Sequence, residues 1–219
     1  MIAENLRVVQ AKVTQAAQRS CRAPESVCLI CVTKGVSLDQ VQEAVEAGVT
    51  DLGESRVQEA APKIEALGRK MRWHMIGHLQ RNKAKLAASL FDTIHSLDRL
   101  ELAEMLERHA QALNREVSVF LEVNTSRESQ KHGVTPDQVG PLLETVGRLP
   151  HLKVLGLMTM AAESDDPETA RPCFKQLKAL QEQFGLKELS MGMSQDYEVA
   201  IEEGATMVRV GSAIFKGED

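Results

Sequence analysis

A chain of 219 residues is long enough to bury well over half of the surface that its unfolded form exposes, and it fits one large domain or two small ones. Hydrophobic residues at 43% and charged residues at 26% exclude disordered, collagen-like and fibrous classes, and aromatics at 3% leave the core to aliphatic and Met side chains. With 26 Lys and Arg against 31 Asp and Glu the net charge is -5, so electrostatics give no reason to expect nucleic acid or an anionic membrane as partner, although a local cluster can hold a small anion.

Residues 1–25 are predicted to form an amphipathic helix with Leu6, Val9, Val13 and Ala16 or Ala17 along one face, suited to lie across a barrel as a lid or plug. Glu4, Arg7, Lys12 and Arg19 interrupt this segment, and no run reaches the roughly 18 apolar residues of a membrane span, so neither a secretory leader nor a membrane anchor is expected. Cys21, Cys28, Cys31 and Cys173 are too few and too irregular for a disulfide framework, which points to a reducing, cytoplasmic setting.

From there the periodicity switches repeatedly. Strands are predicted at 27–34, 51–55, 72–77, 93–98, 117–124, 154–160, 189–194 and 206–211. Helices are predicted between them at 38–47, 57–67, 83–90, 99–113, 136–147, 167–184 and 197–203. The first of these sets Leu38, Val41, Ala44 and Val45 at helical spacing, with Gly48 where a C-terminal cap belongs. This alternation gives an α/β chain of the (β/α)8 TIM barrel type with an extra N-terminal helix, preferred over a doubly wound open sheet. No Pro, Gly or Ser linker divides residues 1–219, so one domain is expected.

In a parallel barrel the chemistry gathers at the carboxyl ends of the strands. The first strand ends in Thr33, Lys34 and Gly35, which sets an amine at the rim above hydrocarbon walls. Desolvation disfavours the ammonium form, the condition for a nucleophilic or Schiff-base lysine; a snorkelling lysine at a strand end explains the same pattern. The seventh and eighth strands run into Gly192 and Ser194 and into Arg209, Gly211 and Ser212. Small residues on this pair of loops suit a phosphate, or simply a tight turn. A rim lysine opposite a phosphate pocket points to pyridoxal 5'-phosphate, PLP, which needs both. Arg209 then faces the phosphate or the ring nitrogen, or else pairs at the surface with Glu202 or Glu203. Cys28 and Cys31 lie three apart on a strand and face opposite ways, which disfavours joint metal or redox work. His74 and His78 straddle a strand end and do not form a helical zinc pair. Glu54, at the rim after the second strand, is read as structural.

From Val32 to Phe215 the chain resembles the pyridoxal-phosphate homeostasis proteins, the PLP-binding or YggS-like family. The resemblance is carried by Val32-Thr33-Lys34, Gly53-Glu54 and the run from Trp73 to Gln80, then by His95 to Leu100 and Val123 to Ser126 with Glu128, Lys131 and Gly133. Gly156 to Thr159, Ser190 to Ser194 and Met207 to Phe215 complete it. It implies a fold similar to the barrel domain of fold-type III PLP enzymes such as alanine racemase, with Lys34 carrying the cofactor as an internal aldimine. It also implies that Ser194, Arg209, Gly211 and Ser212 lie on cofactor-binding segments, and that His78 and Asn82 lie on a family signature at the pocket mouth. The chain departs from the family pattern at Ser55-Arg56, where Asn-Tyr is usual.

An aldimine on a barrel is also how racemases begin, but fold-type III enzymes draw a second acid or base from an added β-domain and often a partner subunit. This chain ends at Asp219, so no such domain is expected after Phe215 and the mouth should stay open. The expected function is therefore PLP binding in vitamin B6 homeostasis without catalysis, in a monomer whose partners are PLP, PLP-dependent apo-enzymes and amino acids. A small amino-acid racemase using Lys34 is the alternative.

Overall fold

The computed structural model describes residues 1–126, 128 and 130–217. In chain order these form α1 (Ile2–Arg19), β1 (Cys28–Val32), α2 (Leu38–Glu46), β2 (Asp51–Glu54), α3 (Val57–Leu67), β3 (Arg72–Met75), α4 (Ala84–Leu90), β4 (Thr93–Leu97) and α5 (Leu100–Ala112). There follow β5 (Val117–Glu122), α6 (Val139–Val146), β6 (Leu152–Met158), α7 (Arg171–Gln183), β7 (Glu188–Ser190), α8 (Tyr197–Glu202), β8 (Met207–Val210) and α9 (Ser212–Phe215). The strands close into a parallel barrel in the order β1 to β8, with Leu29 of β1 facing Val208 of β8 and Ile30 facing Arg209. Closure excludes the doubly wound sheet.

Alternation along each strand divides its side chains between two environments. Cys31, Leu52, Ile94, Val119, Leu157 and Val208 pack outward against helix residues such as Val41, Leu106, Phe174 and Leu177. Ile30, Ile76, Phe120 and Met158 are also buried but stand apart from that layer, inside the barrel. The β6 register shifts opposite Val119 and Phe120, and Gly156 lies so close to β7 that a Cβ there would sit 1.8 Å from the Glu188 carbonyl oxygen.

Local rules set the helix ends. Ser37 and Gln40 form a capping box at the start of α2, and Gly48, at φ 105°, closes its end as expected. The helices predicted from Pro136 and Pro167 each begin with a tight 3-10 turn, Pro136–Gln138 and Pro167–Ala170, before α6 and α7. Proline pre-sets that first turn without costing a hydrogen bond. The strand predicted at 189–194 stops at Ser190, because the chain turns at Gly192 with φ 93°.

The N-terminal helix has the predicted apolar face, Leu6, Val9, Val13, Ala16 and Ala17. It lies along the outside, beside α2, α8 and α9, with Arg19 paired to Glu198 and Glu202 and Asn5 donating to the Ile214 carbonyl at 3.0 Å. It lines no part of the mouth, so the expected lid or plug does not form. The apolar stripe is satisfied by the outer helices instead. Among the described residues no helix is long and apolar enough to cross a membrane.

Candidate functional site

A cavity of about 740 Å³ opens at the carboxyl end of the strands. Lys34, His78, Ser194, Arg209, Gly211 and Ser212 all line it, against walls that include Val32, Ile76 and Met160. A second cavity of about 730 Å³ opens on the other side of Lys34, also touching Ser194 and Ser212 and reaching Lys131 and His132. Asn82 does not line either one; it is exposed on the 3-10 turn Arg81–Lys83 that precedes α4.

Lys34 lies two residues beyond the end of β1, in a turn completed by Gly35 at φ 70°. Its side chain is exposed at the rim rather than sunk between hydrocarbon walls, so the expected desolvation is absent. What fixes the turn lies one residue earlier. Thr33 is fully buried, and its hydroxyl donates to Glu54 Oε1 at 2.7 Å. Lys63 reaches in from α3 and donates to the same oxygen and to the Thr33 carbonyl, each at 2.6 Å. Glu54 thus does the structural work foreseen for it, holding the outer side of the turn while Lys34 projects from the rim.

Arg209 is 3% exposed and faces into the barrel. Glu202 and Glu203, its alternative surface partners, pair with Arg171 instead. Arg209 Nη1 donates to Ser190 Oγ at 2.7 Å and Nη2 to the Thr159 carbonyl at 2.9 Å. Burial pushes its guanidinium down to about 10, with Asp196 and Glu122 opposing, so it keeps its charge at neutral pH. Beneath it the interior is polar where barrels commonly hold branched aliphatics. Ser190 Oγ is 2.8 Å from His95 Nδ1, His95 Nε2 is 2.9 Å from His74 Nδ1, and His74 Nε2 is 3.0 Å from Asp51 Oδ1. His95 also stacks on Phe120 at 4.6 Å. Complete burial, then His74 and Arg209, hold its imidazole well below the usual range. Burial raises the Asp51 carboxyl, but hydrogen bonds from His74, Arg72 and Thr50 outweigh it and hold the group well below the ordinary carboxylate range.

The loops after β7 and β8 differ from their sequence reading in one respect. Gly192 does not line the cavity; its φ is positive, and a Cβ added there would lie 2.5 Å from Ala200 Cβ, which makes it a turn and packing residue. Gly211 does line the cavity, its N–H donating to Ser194 Oγ at 3.3 Å. Ser194 Oγ, Ser212 and the start of α9 therefore form one small-residue edge opposite Lys34.

At the mouth His78 stacks on His132 with ring centroids 3.8 Å apart and planes 17° apart, and His78 Nδ1 is 3.6 Å from Asp98. The three carry metal-ligand atom types, yet nearly parallel stacked rings cannot both aim in-plane lone pairs at one ion. Cys28 and Cys31 are free, and burial pushes both thiols up to about 12, with Asp51 also raising that of Cys28, so neither is a thiolate nucleophile at neutral pH.

The alanine racemase N-terminal domain family matches residues 2–219. The chain is 40% identical over 219 residues to the pyridoxal phosphate homeostasis protein of Aquifex aeolicus (strain VF5), covering 97% of this chain and 96% of that one. The chain belongs to the pyridoxal phosphate homeostasis protein family. Another member, from Pseudomonas aeruginosa, is 40% identical over 221 residues, covering 100% of this chain and 96% of its own. The structure of PipY of Synechococcus elongatus PCC7942 with PLP bound matches with a TM-score of 0.85 at 35% identity, covering 98% of this chain and 100% of that chain. Alanine racemase of Clostridium difficile 630 matches with a TM-score of 0.75 at 15% identity, covering 96% of this chain and 56% of that one, a likeness of fold alone.

Ser55 and Arg56, read from the sequence as a departure from the family pattern, line the cavity wall, and Arg56 donates to Glu59 at 2.9 Å. Sequence reasoning missed the interior roles of Asp51, His95, Ser190 and Glu122. Their signal was polar residues inside otherwise apolar strand runs, at positions whose facing direction only the closed barrel reveals. Glu122 ends β5 at 2% exposure with Oε2 lacking a hydrogen-bond partner, and burial, with nearby Asp98, pushes its carboxyl up to about 7 against the pull of Arg209 and Arg99.

Proposed function

We propose that this chain binds PLP at the barrel mouth, joined to Lys34, and serves intracellular vitamin B6 homeostasis by holding, delivering or buffering the cofactor. The observation that carries the reading is the convergence of Lys34, Ser194, Gly211, Ser212 and Arg209 on one cavity, in a family whose member PipY has been solved with PLP bound. The donor set fits the group: an amine for the aldehyde, hydroxyls and a backbone N–H edge for the phosphate, and a guanidinium for the ring side. When bound, PLP supplies an aldehyde that condenses with an amine, forming a C=N bond and releasing water. Lys34 supplies that amine from an exposed rim. Ser194 and Ser212 act as parallel phosphate donors, so neither is indispensable. Arg209, always a donor, keeps a ring nitrogen that faces it unprotonated and so weakens the electron sink that amino-acid chemistry draws on. That property favours custody of the cofactor over turnover, and PLP-dependent apo-enzymes, with amino acids, are its partners on this reading, in a cytoplasmic monomer that influences amino-acid and keto-acid metabolism.

The test is the visible spectrum of the purified protein before and after borohydride, with peptide mapping of the reduced adduct. Lys34→Ala is expected to abolish the yellow absorption, while Ser194→Ala or Ser212→Ala weakens retention about tenfold, the loss of one charge-assisted hydrogen bond. Yellow absorption surviving in Lys34→Ala refutes the assignment. Sustained exchange of an amino-acid α-proton that requires Lys34 would instead establish an enzyme.

A further inference from the structure

We propose that Asp51, His74, His95 and Ser190 form a one-directional hydrogen-bond chain through the barrel interior that positions Arg209 toward the cofactor ring. The inference rests on the PLP reading for its consequence, but the chain itself is defined by residues of the protein alone.

The direction follows from its two ends. Arg209 is only a donor, and it spends one N–H on Ser190 Oγ. Ionised Asp51 is only an acceptor, and His74 Nε2 lies 3.0 Å from its Oδ1. His74 must therefore carry its proton on Nε2. With His74 neutral, as the proposal requires, the single proton in the 2.9 Å gap between His74 Nδ1 and His95 Nε2 belongs to His95 Nε2. That leaves His95 Nδ1 as the acceptor, so the Ser190 hydroxyl, 2.8 Å away, donates to it. With both imidazoles neutral, every link points from Arg209 to Asp51. Reversing any one link places two protons or two lone pairs face to face in a buried interior, at the cost of an unmade hydrogen bond.

The arrangement does two things for Arg209. Ser190 and the Thr159 carbonyl hold the guanidinium plane from below, leaving its other N–H groups for the cavity that it lines. The chain ends on Asp51, where Arg72 and Thr50 also donate to Oδ2 at 2.7 and 2.8 Å, while Asp196 and Glu122 act on Arg209 as charges. A carboxylate placed directly against Arg209 would occupy the donors that the ring nitrogen needs. Neutral rings carry the hydrogen bonding between the two ends without that competition. Asp51, His74, His95 and Ser190 are positioning residues and touch no cofactor.

Two measurements test this. In the cofactor-free wild-type protein, long-range proton–nitrogen NMR of the imidazoles at neutral pH should show His74 and His95 as neutral Nε2–H tautomers; an Nδ1–H tautomer or a doubly protonated ring at either position overturns the chain. In titrations with PLP labelled with nitrogen-15 in the ring, Ser190→Ala and His95→Leu should weaken binding about tenfold and shift the ring-nitrogen resonance. His95→Gln should restore both toward wild type, because its amide can donate to His74 while its oxygen accepts from Ser190. Unchanged binding and resonance in Ser190→Ala and His95→Leu, or no advantage of Gln over Leu, also overturns the proposal. If the wild-type protein takes up no PLP, the proposed function fails instead, and the imidazole spectra, which need no cofactor, tell the two failures apart.

Discussion

Glu122 concentrates at one position what burial does to a charge. Its carboxyl stands at about 7 in the folded protein against an ordinary value of 4.5, because burial and Asp98 oppose ionisation more than Arg209 and Arg99 favour it. A raised folded-state value means the group contributes stability fully below about pH 4.5 and loses it as pH rises through about 7. Glu122→Gln should therefore match the wild type near pH 4.5 and exceed it by on the order of 2–3 kcal/mol near pH 8, as measured by urea unfolding of the cofactor-free protein. A stability gap that stays constant across that range would sink the idea. At the same scale, Lys34 was readable as the bearer of an amine at a strand end, but its exposure was not. Sequence places a residue near a rim; only the turn at Gly35 and the buried Thr33, Glu54 and Lys63 anchor decide how far it projects.

Elements tell a similar story. Strands and helices were legible because periods of 2 and 3.6 survive in the apolar pattern, and prolines and capping residues mark where helices begin. Their limits moved by a few residues wherever a tertiary contact intervened. The turn at Gly192 ends β7 early, and Gly156 sits at the β6 irregularity, hard against β7. Gly156→Ala is expected to cost at least the roughly 1–3 kcal/mol of an overpacked core, because a Cβ there meets the Glu188 backbone, which cannot swing away as a side chain can. Thermal unfolding of the variant measures it; a melting temperature equal to wild type would show that the two strands separate freely. The N-terminal helix illustrates the opposite limit. Its apolar stripe was legible, but a stripe specifies that something is covered and not what, so the lid expected over the mouth proved to be an outer-layer helix beside α2, α8 and α9.

For the whole molecule, the exposed large apolar side chains among the described residues are Met1, Val8, Leu38, Leu86, Leu113 and Met193, spread over the chain start, α1, α2, α4, the end of α5 and the loop after β7. This dispersal supports the monomer reading, because a stable dimer buries a contiguous apolar patch. Sedimentation at micromolar concentration should return a single-chain mass, and an obligate dimer would contradict it. By itself the sequence determined the alternation that closes the barrel, the order of the strands and the residue types gathered at their carboxyl ends, since these follow from local periodicity and from the handedness of parallel connections. Tertiary structure alone decided which polar side chains turned inward. Asp51, His74, His95, Ser190 and Arg209 lie on five different strands, and their shared chain exists only because closure brings β2, β3, β4, β7 and β8 around one axis. A linear pattern records the period of a strand but not which of its two faces will meet the others.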